Sequence, residues 1–205
     1  MTYTSRLIAA ALPFALVLGG CALNPGHPWT DYTLPAAAPT TSPPPAQRAA
    51  AVLRVDPIAA PAWLDTRNMY YRLDYHNAAE VLAYSESRWQ APPPEMLRGI
   101  LVEHLAGSGD WKAVLGSSDS AQANYALHLR LLAFEQDFSS PQTSAGVLRI
   151  RASLIDLKND AVRAQKTFDY HVPASAANAR AGAAALAHAG DVLAQQLQRW
   201  LLEVR

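Results

Sequence analysis

The chain has a single cysteine in 205 residues, so no disulfide framework can form within it. Zinc sites built on paired thiolates are excluded for the same reason. An excess of charge of one sign is missing too: 17 Lys and Arg stand against 17 Asp and Glu. Without a global basic field there is nothing to hold nucleic acid by counterion release, and no nucleic-acid partner is expected. Charged residues make up only 17% of the chain while hydrophobic ones make up half, which suits a packed core and argues against full disorder. The six histidines are scattered, with no His-x-x-x-His or His-Glu-x-x-His pair. Neither a Gly-x-x-x-x-Gly-Lys phosphate loop nor a Gly-x-Gly-x-x-Gly fingerprint occurs. Gly107-Ser108-Gly109 lacks the Gly-x-Ser-x-Gly spacing of a nucleophile elbow and reads as the end of a helix. Asp74 and His76 share a face of a predicted strand, but no nucleophile accompanies them, and they read as polar residues at a strand end. No cofactor and no enzymatic activity is expected.

What the chain does have begins at its N-terminus. Met1–Gly20 opens with a short polar stretch carrying Arg6, followed by an apolar run of 14 residues from Leu7 to Gly20. A hydrocarbon core of about 30 Å takes roughly 20 apolar residues to cross, so this run is too short to span. A short cationic start before a short apolar core is the pattern of a secretory signal peptide. Residues 1–20 are therefore read as a removable address. Their loss takes Arg6 and no acid, leaving 16 basic and 17 acidic side chains, a net of −1. A nearly neutral surface does not steer strongly toward anionic lipid.

Residues 21–47 follow as a tether. Seven of the 15 prolines fall here, at 25, 28, 35, 39, 43, 44 and 45. Proline lacks a backbone donor and stiffens its neighbours, so an extended, mostly unpacked segment is expected. Asp31-Tyr32-Thr33-Leu34 interrupts it with an alternation that fits either a short edge strand or two side chains resting on the domain surface.

One domain then occupies residues 48–205, enough chain for a single core. Ala51–Val55 reads as a strand, and Asn68–Tyr75 alternates around Met69, Tyr71, Leu73 and Tyr75, with Val81–Tyr84 as its hairpin partner. Pro92-Pro93-Pro94 stops the sheet and opens a helix, with Glu95 in its first turn and Met96, Leu97, Ile100, Leu101, His104 and Leu105 on one face. Lys112–Leu115 is a short strand. Tyr125, Leu127, Leu129 and Leu131 alternate until the phase changes near Leu131, which predicts a bulge. Leu148–Leu154 and Val162–Val172 give two more strands, joined by a tight turn at Asn159-Asp160. After Pro173, with Ser175 as the expected cap, a stripe from Ala185 through Leu193 to Val204 at i, i+3, i+4 spacing predicts a terminal helix. Five to seven mostly antiparallel strands and two amphipathic helices on one sheet face make the fold class α+β.

Two groups of residues are candidates for partner binding. Arg130, Arg149 and Arg151 occupy outward positions of neighbouring predicted strands and would form a basic patch, suited to an acidic partner or to phospholipid headgroups. The plainer reading is a solvated face that keeps strands from associating, with Glu135 and Asp137 nearby. Arg88-Trp89 is either an exposed anchor for another subunit or a core residue beside a cation paired to a carboxylate such as Asp65.

Leu18-Gly19-Gly20-Cys21 resembles a bacterial lipobox. That resemblance implies acyl chains on Cys21, a stable anchor where one chain alone would bind only marginally. With Ala22 rather than aspartate behind it, the sorting pattern implies the outer membrane. Further pieces follow in order: Tyr32-x-Leu34, Pro61-Ala62-Trp63-Leu64-Asp65, Arg88-Trp89-Gln90-Ala91-Pro92-Pro93 before a Leu-rich helix, then late strands and an Ala/Leu-rich terminal helix. Together they resemble the PqiC-like auxiliary lipoproteins of ABC-type transport systems. The resemblance implies an α+β periplasmic domain without catalytic residues, anchored to the outer membrane and docking to an MCE-domain protein of the transport complex. The implied cargo is phospholipid or another hydrophobic molecule. A lipid carrier enclosing cargo between sheet and helices, or an envelope-assembly lipoprotein, is the alternative, and homo-oligomerisation is left open.

Overall fold

The computed structural model describes residues 29–35, 50–116 and 119–205. The signal segment, Cys21 and all of the tether except 29–35 lie outside the described residues.

The described residues form one eight-stranded sheet: β1 Thr30–Tyr32, β2 Val52–Val55, β3 Asn68–Leu73, β4 Leu82–Trp89, β5 Ala113–Leu115, β6 Tyr125–Ser140, β7 Thr143–Asp156 and β8 Ala161–Pro173. Three helices accompany it, α1 Asp74–Asn77, α2 Pro93–Gly107 and α3 Ala179–Val204. The class is α+β, with one strand more than the sequence pattern yields. Its backbone is the long antiparallel meander β6–β7–β8. The other edge of β6 is shared: β2 pairs in parallel with Leu53 opposite Tyr125, and β3 pairs in parallel further along with Leu73 opposite Phe138. β5 extends β2 and β4 extends β3. Tyr32-x-Leu34 does form an edge strand, as β1 beside β4, with Leu34 buried behind it.

Period-2 alternation decides which side of the meander is wet. Leu127, Leu129 and Leu131 face inward, the register slips between Leu131 and Ala133 as the change of phase predicts, and Phe134, Gln136 and Phe138 then take over the buried face. On β7, Leu148, Ile150, Ala152 and Leu154 do the same. α3 packs across β6, β7 and β8 on this side, and α2 packs on α3 and β5. Leu186, Leu193, Leu197 and Leu201 meet the inner row of the sheet, and Leu97, Leu101 and Leu105 of α2 complete the layer. Burying each such side chain contributes about 1.5–3 kcal/mol. Two glycines let α3 approach this closely. A side chain on Gly146 would meet the Leu186 backbone nitrogen at 2.9 Å, and one on Gly182 would meet Gln136 Oε1 at 1.9 Å. Gln136 itself is buried but satisfied, accepting from the Tyr84 hydroxyl at 2.9 Å and donating to Ser144 Oγ at 2.7 Å.

Several local expectations are corrected. β3 ends at Leu73, and Asp74–Asn77 is a single helical turn, so Asp74 and His76 do not share a strand face. The hairpin partner of β3 runs from Leu82 to Trp89, well past Tyr84. The cap of α3 is Asn178, whose Oδ1 accepts from the Ala181 amide at 3.0 Å, and Ser175 lies before the helix. The turn between β7 and β8 is the expected one, with Asp160 at φ 50.

Candidate functional site

The side of the β6–β7–β8 meander opposite the helices is open along much of its length. Its outward row on β6 reads His128, Arg130, Ala133, Glu135 and Asp137, and on β7 it reads Ser153, Arg151 and Arg149. Arg130 and Arg151 are direct cross-strand partners, so their side chains leave the same face next to each other. Both are exposed, and neither has a carboxylate partner among the described residues. Like charges placed opposite each other in a ladder are destabilising, which sets this pair apart from an ordinary solvated face.

Beside the pair lies a groove of about 430 Å³, floored by His128, Arg130, Arg151 and Ser153 and walled by Pro57 and Ala59. The wall is held in place by the backbone: the Ala59 amide donates to the Leu129 carbonyl at 3.0 Å, and the Leu131 amide donates to the Ala59 carbonyl at 2.8 Å. Asp56 also lines the groove, but both its oxygens are engaged, one by Arg54 Nε at 2.7 Å and the other by His128 Nε2 at 2.8 Å. Across the floor, Gln165 donates to Ser153 Oγ at 2.8 Å and leaves the serine hydroxyl proton free to be donated.

Arg149, the third member of the predicted patch, is on the same face but is paired with Asp169 at 2.8 Å. Of the two acids read as lying near the patch, one is buried and the other, Asp137, is half-buried. Glu135 is buried and bonded through Oε1 to Arg72 Nε at 2.8 Å, while Arg72 Nη1 also donates to the Ala78 carbonyl just past α1. Glu135 Oε2 and Asp137 Oδ1 are buried with no hydrogen-bond partner among the described residues. Burial, followed by the neighbouring charges of Glu135 and Asp74, pushes the Asp137 carboxyl up to about 6. The Glu135 bond holds the Arg72 guanidinium still more firmly protonated than usual.

Arg88 and Trp89 part company. Trp89 is 0% exposed, with its ring 5.2 Å from Phe134 in a tilted contact, so it is a core residue and not a surface anchor. Arg88 pairs not with Asp65 but with Asp31 of β1, at 2.8 Å, and lies over the exposed Trp29 ring. Arg67 reaches the same carboxylate, and the hydrogen bond from Arg88 holds Asp31 below its ordinary range. The role of this cluster is to fasten β1 to β4.

The residues that sequence reasoning missed are Arg72, Asp56 and the Pro57–Ala59 wall. Asp56 and Arg54 stand two apart, a spacing that signals a local ion pair, but nothing in the order of residues places them beside His128. Among the described residues no group of three or more His, Cys, Asp or Glu is arranged to hold a metal ion, and no helix is long and apolar enough to cross a membrane.

Comparison with known proteins bears on the chain as a whole. No curated protein matches the sequence. Among solved structures, protein XCC0632 from Xanthomonas campestris is 24% identical, with a TM-score of 0.74 over 85% of this chain and 95% of that one. A second crystal structure, of an uncharacterised protein, is 16% identical with a TM-score of 0.66 over 85% of this chain and 99% of that one. At such identities the likeness establishes the fold alone. The family of the ABC-type transport auxiliary lipoprotein component, however, matches residues 32–198, from the edge strand through most of α3, and the chain belongs to that family.

Proposed function

We propose that this protein is a non-catalytic adaptor, held on the periplasmic side of the outer membrane by acyl chains on Cys21, that docks to the MCE-domain protein of an ABC-type transport complex moving phospholipid or another hydrophobic cargo. The observation that carries the reading is the family match over 32–198, which makes the chain an auxiliary lipoprotein component of a transporter. The cysteine at the end of the N-terminal apolar run supports the anchor. Tethering makes docking local, so that even a weak interface gains from a high effective concentration.

The interior supports an adaptor over a carrier. The layer between sheet and helices is filled by Leu148, Ile150, Leu186, Leu193 and Leu197, all 0% exposed and packed on one another, so cargo has no room there without repacking of the core. Of the residues considered for partner contact, Arg130 and Arg151 are both exposed and free of a carboxylate, and the open face around them is where a ligand or partner is expected to meet the domain.

The anchor is tested in the native host. Cys21→Ala is expected to abolish incorporation of labelled palmitate and to move the protein from the membrane to the soluble fraction, with transport impaired and the fold unchanged by circular dichroism. Retention of the variant in the membrane fraction would overturn the anchor. Affinity purification of the wild-type protein is expected to bring down an MCE-domain protein, and its failure to do so under crosslinking would overturn the partner.

A further inference from the structure

We propose that Arg130 and Arg151, with the groove beside them, form a binding site for a phosphoryl dianion, a phosphomonoester or inorganic phosphate. This rests on reading the open sheet face as a contact surface, but on neither the anchor at Cys21 nor the identity of a transport partner.

The charge arrangement asks for an anion. The register of β6 and β7 sets Arg130 directly opposite Arg151 on one face, so their two exposed side chains leave neighbouring positions, and neither has a carboxylate partner among the described residues. Elsewhere on the sheet Arg72 and Arg149 each meet a carboxylate, as does Arg54 beside the groove. Asp56, the carboxylate that lines the groove, is already taken up by Arg54 and His128. Two positive charges are thus left to a ligand. A phosphomonoester carries about −1.5 to −2 at neutral pH and matches them, where a diester or a carboxylate would match only one.

The shape of the donors points the same way. An arginine presents a rigid fork that fits phosphate or carboxylate through two parallel bonds. A planar carboxylate is used up by one fork. A tetrahedral phosphoryl group presents oxygens in different planes and can engage two forks that approach from adjacent strands. Ser153 adds a hydroxyl proton from the floor, because its oxygen already accepts from Gln165. The groove volume of about 430 Å³ lies within the range of small-ligand sites, and it exceeds what a bare phosphate needs. The remaining space runs along Pro57 and Ala59, which suits the carbon skeleton to which the phosphoryl group is attached.

The test uses the full chain in detergent, titrated with inorganic phosphate, with glycerol 3-phosphate, and with dihexanoyl phosphatidate below its micelle concentration, followed by amide chemical shifts and calorimetry. Saturable binding is expected, with the largest shifts at residues 128–131 and 151–153. Arg130→Gln and Arg151→Gln are each expected to weaken it at least tenfold, and Arg151→Glu to abolish it by giving Arg130 a partner. Arg180→Gln, on α3, is the control and should leave affinity unchanged. Tightest binding of phosphatidate makes the source a lipid headgroup, and equal binding of all three makes it the phosphoryl group alone; both support the site. No saturation by any of the three, an unchanged affinity in Arg151→Gln, or equal binding of a glutamate-rich peptide would overturn it. None of these readouts depends on membrane fractionation, so a Cys21→Ala protein that stayed with the membrane would overturn the anchor and leave the site standing, while absence of phosphate binding would overturn the site and leave the anchor standing.

Discussion

The two halves of β6 present the same face of the same strand and handle charge in opposite ways. In the first half Arg130 stands in the open beside Arg151, exposed and uncompensated. In the second half Glu135 and Asp137 point to the same side, yet Glu135 is buried under Arg72 and one oxygen of Asp137 is sealed off. The difference comes from the strand that borders each half. β2 brings up the short Pro57–Ala59 wall, which leaves the face open. β3 brings Arg72 and then α1, which packs against β6. A charge on a sheet face is therefore harmless or costly according to its lateral neighbour, and only the first half retains charge that a ligand can use.

The sharpest way to break this contrast is to remove the cation from the closed half. Arg72→Ala leaves Glu135, whose side chain is 5% exposed, without its ion-pair partner. Removing one member of a buried pair typically costs about 3–5 kcal/mol, so a loss near 3 kcal/mol is expected in urea unfolding. Replacing both, as Arg72→Met with Glu135→Leu, should recover most of that loss, because an apolar pair avoids the desolvation cost altogether. A loss below about 1 kcal/mol in the single variant would mean that water reaches Glu135 and that the two halves are alike.

Asp137 offers a subtler probe of the same half. Its carboxyl is raised from 3.8 to about 6 in the folded protein, so between these values the native state holds a proton that the unfolded chain has released. Stability must then fall as pH rises through this window and level off above it. Asp137→Asn removes that slope and is expected to be more stable than the parent above pH 6 by about 1 kcal/mol, a figure discounted for partial exposure. The quantity to measure is the difference between the two stability curves from pH 4 to 8, because Asp31, held low by Arg88, contributes a slope of the opposite sign to both proteins at the acid end of that range.

Much of the open half was legible in the sequence, and little of the closed half was. Leu127, Leu129 and Leu131 against His128 and Arg130 is plain period-2 alternation, and the phase change at Leu131 announced the bulge. The same alternation continues through Glu135 and Asp137 on the outward side, but it carries no sign that Glu135 is buried there and Asp137 half-buried. Arg72 lies 63 positions upstream of Glu135 and reaches it through a parallel pairing, for which no local pattern exists. Asp74–Asn77 was hidden for a different reason. Tyr71, Leu73 and Tyr75 continue the alternation of β3, but a four-residue helix leaves almost no periodicity of its own. Asn178 and Ser175 are both good capping residues three positions apart, and it is the Asn178 side chain that accepts from the Ala181 amide. Trp89 shows the limit of composition as a guide, since a tryptophan beside an arginine suits an interface and a core equally well.

The smallest effects belong to the open half, and their sign carries the information. Arg149→Ala removes an exposed pair with Asp169 and is expected to lose up to about 0.5 kcal/mol, as surface ion pairs do. Arg130→Ala removes a charge set opposite Arg151 in the ladder, and it is expected to gain a few tenths of a kcal/mol instead. Both effects are exposed and screened, so the two variants should differ most at about 0.01 M salt and converge near 1 M, where the Debye length has shrunk to about 3 Å. Equal losses from both at low salt would mean that Arg130 has a compensating partner in the native chain. The open half would then be an ordinary solvated face, and the contrast within β6 would reduce to burial alone.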